Sequence, residues 1–185
     1  MKAGFSNFLG MAMALHLLID GYNLMGCSGN SREPFADPLE ENREQLMEKI
    51  ARYRGLKGAQ VTLVFDGGKG GYPTRRSERK RGMEIIYSKL GEEADHVIKD
   101  LLQEGKKPYV VVTSDNAILN FAEARGFAFI RSREFEEKME MAAFLSEKGM
   151  VEEETSNKES GTKKKGNPRR LSKKERRRRS ILKKI

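Results

Sequence analysis

Three short, near-continuous apolar runs constrain the fold of this chain most: Leu15–Ile19 (LHLLI), Val61–Phe65 (VTLVF) and Tyr109–Thr113 (YVVVT). Apolar residues at consecutive rather than alternate positions mark strands covered on both faces, as in a parallel sheet. Met83–Tyr87 and Phe127–Ile130 read as further strands. Helical stripes separate them. Asp37 and Pro38 supply an N-cap and a first helical position, and Leu39, Leu46, Ile50 and Tyr53 recur until Gly55 or Gly58 ends the segment. Ala94, Val97, Ile98, Leu101 and Leu102 form one face of a helix over 92–103 that Gly105 stops. A helix over 116–125 ends at Gly126, and Ser132 caps a last one running to Ser146. This alternation predicts an α/β domain over residues 15–148, with a mainly parallel sheet of about five strands and helices on both faces. Gly21 is expected to begin a turn, 26–36 to be a loop, and 67–82 (GGKGGYPTRRSERKRG) to be a mobile loop over the sheet edge.

The carboxyl ends of parallel strands meet at one edge, where α/β proteins bind ligands. Asp20 and Asp66 end the first two runs, Asp115 follows the third, and Asp95 lies in the first turn of the helix after Met83–Tyr87. Singly, each has an ordinary explanation: an Asx-turn for Asp20, a turn before Gly67 for Asp66, a helix-dipole partner for Asp95 and an N-cap for Asp115. Jointly, carboxylates gathered at one edge repel one another, and the set favours a hard divalent cation, Mg²⁺ or Mn²⁺. Glu92, three residues before Asp95, shares its helical face and could act as a further ligand. Asn23 offers an amide to a metal-bound water or a phosphate oxygen.

The net charge of +9 is not spread evenly. Residues 151–185 carry 14 Lys and Arg against 5 Glu, which accounts for the whole surplus and leaves residues 1–150 neutral. A compact neutral domain with a basic tail is therefore expected, and 149–185 is too charged and too poor in apolar residues to fold alone. Inside the domain, Lys69, Arg75, Arg76, Arg79, Lys80 and Arg81 face only Glu78 in the loop beside Asp66, which suits the flanking phosphates of a polyanion. Residues 1–14 read as an N-terminal extension without structure.

Other chemistries leave marks that are missing. There is no GxxxxGK[ST], and the glycines at 67–71 lack GxGxxG spacing, so neither a P-loop nor a dinucleotide cradle is expected. No GxSxG occurs, the lone Cys27 suits a reducing cytoplasm, and His16 and His96 match no zinc spacing. No apolar run is long enough to cross a bilayer, and the tail has few apolar anchors for a membrane surface.

LLIDGYNLM (17–25), LVFDGG (63–68), EEADHVIKD (92–100) and VTSDNAI (112–118), in this order, resemble the NYN domain, a branch of the PIN-like nuclease superfamily. The IDGYN opening and the E-x-x-D form of the third motif are most similar to its bacterial YacP-like group. The resemblance covers about residues 15–145 and implies a three-layer α/β/α fold and a metal-dependent endoribonuclease. Asp20, Asp95 and Asp115 match its acidic metal-binding positions and Asn23 the Asn of its opening motif. Asp66 matches the acidic end of its second strand and Glu92 the glutamate of its third motif. The resemblance does not account for the basic tail. Two functions follow as expectations: hydrolysis of cellular RNA in decay or processing, or a non-catalytic module that binds RNA or the ribosome through the tail.

Overall fold

The computed structural model describes residues 15–27, 38–67, 72–149 and 173–185. The expected extension at 1–14, the Asp37 cap, Lys69 and most of the glycine run at 67–71 lie outside them, as does 150–172.

Among the described residues the sheet runs β3-β4-β2-β1-β5-β6, where β1 is His16–Asp20, β2 Gln60–Phe65, β3 Arg76–Lys80, β4 Met83–Tyr87, β5 Tyr109–Val112 and β6 Ala128–Ile130. Every pairing is parallel except β3 with β4. β1 is central and buried at all five positions, which is why its sequence does not alternate.

Strand geometry then divides the side chains. Leu17, Ile19, Leu63, Phe65, Val110 and Val112 point to one face and pack under α1 (Gly21–Cys27), α2 (Pro38–Lys57) and α5 (Ser132–Glu147). Leu18, Val64, Ile86 and Val111 point to the other, under α3 (Ala94–Glu104) and α4 (Asn116–Arg125). The stripe expected on α3 is realised: Ala94, Val97, Ile98 and Leu102 are buried, and Gly105 stops the helix with φ +62°.

Three local expectations need correction. Gly21 opens α1 directly, not a turn. Its role is steric, since a Cβ at Gly21 would lie 2.3 Å from the buried Phe65 ring. Ser132 is not a cap but the first residue of α5, with its side chain buried and donating to Asn23. The expected mobile loop contains a sixth strand, β3, joined to β4 by Arg81 and Gly82, both at positive φ (+50° and +75°). Positive φ at both central residues is the type I′ hairpin turn, whose twist matches the strands it joins. The all-polar RSERK suits an edge strand, since charge discourages pairing with another chain.

The tail also differs from a chain without structure. Where the described residues resume, Lys173–Leu182 is a helix, α6, that packs on β6. Ile185 is buried, Ile181 and Leu182 are half-buried against the same core, and the Tyr53 hydroxyl donates to the Ile185 carbonyl. This end of the tail is therefore part of the domain. Removing residues 173–185 should lower unfolding stability by on the order of 3 kcal/mol from lost apolar burial alone. A urea melt of the full and shortened chains checks this, and coincident midpoints would refute it.

Candidate active site at the strand switch

The chain leaves β1 towards β2 through helices on one face, and leaves β5 towards β6 through α4 on the other. Adjacent strands β1 and β5 thus send their connections in opposite directions, which opens a crevice at their carboxyl ends. Asp20 is the last residue of β1, and Asp115 follows β5.

Asp20 is 7% exposed. One carboxylate oxygen accepts the Asn23 N–H at 3.2 Å, and the other accepts the Thr113 hydroxyl at 3.1 Å. Burial pushes its pKa up to about 6, against these two hydrogen bonds, and the charges of Asp95 and Asp66 push in the same direction as burial. Asp66 and Asp95 therefore lie close enough to act on the charge of Asp20.

The neighbouring groups form one seam. The Thr113 hydroxyl accepts the Asp115 N–H at 3.1 Å. Asp115 caps α4 through Oδ1, which accepts the N–H groups of Ala117 (2.6 Å) and Ile118 (3.0 Å). Asn23 Oδ1 accepts the Ser114 N–H at 2.8 Å and the Ser132 hydroxyl at 2.7 Å. With its oxygen committed to two donors, Asn23 has only its amide hydrogens to offer, which suits a phosphate oxygen and not a metal ion. Thr113, Ser114 and Ser132 were not anticipated, because isolated hydroxyls carry no signal in a single sequence.

The remaining predicted residues divide. Asp66 accepts the Ala94 N–H and so caps α3 from outside the helix, a place its own N-cap residue Glu93 leaves unfilled. Asp95 is half-buried in the first turn of α3, with Lys99 at 3.5 Å. Glu92 lies ahead of α3, not on its face. Both its carboxylate oxygens are held by Arg75, at 2.8 and 2.6 Å, and that bonding pulls its pKa down to about 2. It is a partner for Arg75 and is not free to bind metal. Arg75 also pairs with Asp100 at 2.5 Å.

The basic segment is less available than its composition implies. Lys80 and Arg81 both pair with Glu44 of α2, and Arg75 is held as described. Arg76 donates to the Tyr72 hydroxyl at 2.7 Å. Only Arg76 and Arg79 of these cations remain exposed without a carboxylate partner among the described residues. A second unforeseen feature is Arg43, whose guanidinium stands over the rings of Tyr22, Phe65 and Tyr87 at 5.4, 5.6 and 6.0 Å. It braces the aromatic end of the core beside Asp66. His16, at the opposite end of β1, shares a hydrogen bond with the Thr62 hydroxyl at 2.9 Å, and burial with nearby Lys107 lowers its pKa to about 4. His16 is a core residue and His96 is exposed.

Among the described residues, no three His, Cys, Asp or Glu side chains are grouped so as to hold a metal ion. The donor chemistry nevertheless fits Mg²⁺ or Mn²⁺: hard oxygens, mutual repulsion, and one carboxylate whose charge is penalised by burial. Mg²⁺ is commonly held by one or two carboxylates, with waters and substrate phosphates completing its shell, so a spread set is compatible with it.

This fold and this edge define a nuclease-like α/β domain of the NYN type. The chain belongs to the YacP-like NYN domain family, whose family model matches residues 17–180 and so takes in most of the basic tail as well. The chain is similar to the uncharacterized protein YacP of Bacillus subtilis (strain 168), 35% identical over 89 residues, or 47% of this chain and 51% of that protein. The chain thus matches about half the length of this curated relative. Crystal structures of Rae1 (YacP) from Bacillus subtilis superpose with TM-scores of 0.61 (a tryptophan-to-leucine mutant) and 0.59, at 28% identity. They cover 72% and 74% of this chain and 80% and 79% of theirs. No helix among the described residues is long and apolar enough to cross a membrane.

The Asp20 carboxyl has a definite pH signature. Its folded pKa is raised from 3.8 to about 6, so ionising it costs stability as pH rises through that window, and the cost is constant above it. Asp20→Asn keeps the shape, removes the charge, and should stabilise the protein by roughly 1–3 kcal/mol at pH 7.5 and by little at pH 4. Chemical denaturation at the two pH values tests this, and an equal effect at both would show that charge burial is not the cause.

Proposed function

We propose that this chain is a metal-dependent endoribonuclease that hydrolyses RNA phosphodiester bonds in a reducing cytoplasm, in RNA decay or processing. The observation that carries the reading is the desolvated Asp20 at the β1/β5 switch, with Asp66 and Asp95 acting on its charge. Membership of a family with a nuclease-like fold supports it.

In this reading Asp20, Asp95 and Asp115 hold Mg²⁺ or Mn²⁺, with Asp66 as a neighbour whose first task is to cap α3. When bound, such an ion supplies an activated water and neutralises charge on the phosphate. The chain's own groups do the positioning. Asn23, fixed through its oxygen, turns its amide hydrogens to a non-bridging phosphate oxygen. Thr113 holds Asp20 and the Asp115 backbone together, so the two sides of the crevice keep their spacing. Arg76 and Arg79 contact flanking phosphates, while Lys80, Arg81 and Arg75 serve mainly to order the hairpin.

A second reading is a non-catalytic module that binds RNA or the ribosome. It is favoured by the spread of the carboxylates and by the basic helix α6. Turnover separates the two. Asp20→Asn with Asp115→Asn should abolish Mn²⁺-dependent cleavage of single-stranded RNA. The fold should survive, since Asn caps a helix about as well as Asp. Mn²⁺ should also raise the Tm of the parent chain and not that of the double variant. Undiminished cleavage by the double variant would reject the site. A parent chain inert at high Mn²⁺, yet still binding RNA, would favour the module.

A further inference from the structure

Few large apolar side chains are left in water among the described residues, and two of them stand together beside the acidic edge. Tyr72 is 54% exposed and Leu90 58%. The Leu90 N–H donates to the Tyr72 carbonyl at 2.9 Å, which brings the loop before β3 against the loop after β4. The other exposed ones, Leu56, Met141 and Phe144, lie on α2 and α5.

Tyr72 is not loose. Pro73 follows it and restricts its backbone to extended conformations. Arg76 donates to its hydroxyl at 2.7 Å and sets its guanidinium 5.0 Å from the ring centroid, which fixes the plane of the ring. The loop it leans on is tied to the acidic edge as well. Ser88 donates its N–H to the Phe65 carbonyl at 2.9 Å and its hydroxyl to the Glu92 carbonyl at 2.6 Å. The same hydroxyl accepts the Gly67 N–H at 3.0 Å. An exposed ring is thus held rigidly on the structure that carries Asp66 and the start of α3.

We propose that Tyr72, oriented by Arg76, is a base-stacking subsite that grips an unstacked nucleobase flanking the scissile phosphate; this rests on the nuclease reading above. A held aromatic ring offers any base a π-face at little entropic cost, and an adjacent guanidinium can take the phosphate of the same nucleotide. β4 lies two strand positions from β1, roughly 10 Å, so the gripped base is a flanking one and not the one at the cleaved bond. A base already paired in a duplex cannot present its face, so Tyr72 favours single strands.

The test is a binding cycle in the full chain carrying Asp20→Asn, without metal, so that no cleavage is needed. Tyr72→Ala should weaken affinity for a short single-stranded RNA roughly tenfold, the scale of one stacked base. Tyr72→Phe should stay within roughly twofold of the parent, because the ring remains. One abasic position in the RNA should cost the same as Tyr72→Ala and nothing further in the Tyr72→Ala chain. A 2-aminopurine at that position should be quenched by the parent and not by Tyr72→Ala. Additive losses in the cycle, an equal loss on duplex RNA, or no RNA binding at all would overturn the subsite. Turnover in Mn²⁺ with Asp20 intact separates this from the broader reading. Cleavage without coupling sinks the subsite alone, whereas coupling without cleavage sinks the nuclease reading, and with it the place beside a scissile phosphate, and leaves Tyr72 only as a base-gripping residue of a binding module.

Discussion

The buried carboxylate of Asp20 is the constraint around which the carboxyl edge is arranged. A carboxylate in that position is costly to ionise, and the chain offsets the cost with only two hydrogen bonds while placing two more acids near it. Each of those bonds does a second job. The Asn23 N–H starts α1 on Asp20, and the Thr113 hydroxyl links Asp20 to the Asp115 backbone and so to α4. Asn23 continues the seam to Ser114 and to the first residue of α5. Four elements are therefore registered on one acid that destabilises the fold, an arrangement expected where stability has been traded for function.

The capping roles of the acids and their proposed metal role are not rivals. Asp115 uses Oδ1 for α4 and leaves Oδ2 without a partner among the described residues, and Asp66 likewise spends Oδ1 on the start of α3. Each helix N-terminus fixes the direction of its carboxylate, which is what an oxygen-ligand site needs before a cation arrives. Glu92 is the exception. Its two oxygens are closed off by Arg75, so it orders the approach to the site instead of lining it.

How far the sequence could be read depended on whether apolar pattern or polar pairing decided the outcome. β1, β2 and β5 were legible because strands covered on both faces are near-continuously apolar, β4 because MEIIY is apolar at four of its five positions, and the helix stops at Gly105 and Gly126 because only glycine sits easily at their positive φ. β3 was not legible. Its five residues are polar, and its hairpin turn is an Arg-Gly rather than the more recognisable Asn-Gly. Asp20, Asp66, Asp95 and Asp115 could be placed at one edge because topology alone puts them there. The pairing of Arg75 with Glu92, or of Lys80 with Glu44, could not, since a charge count does not say which charges meet.

Those pairings also relocate the charge that an RNA would feel. The hairpin cations counted as free in the sequence are largely paired with α2, Glu92 and Asp100, which leaves two arginines, Arg76 and Arg79, without a carboxylate partner among the described residues, and a held tyrosine. The larger positive reserve is in the tail, and its last turn is anchored in the core through Ile181, Leu182 and Ile185. Arg176, Arg179, Lys183 and Lys184 are exposed on that anchored segment. A flexible tether would raise RNA affinity without orienting the strand, whereas cations fixed to β6 and an aromatic fixed beside β3 bracket the sheet from its two sides. With the acidic edge between them, affinity from one flank and base grip from the other would both restrict which phosphate reaches Asp20.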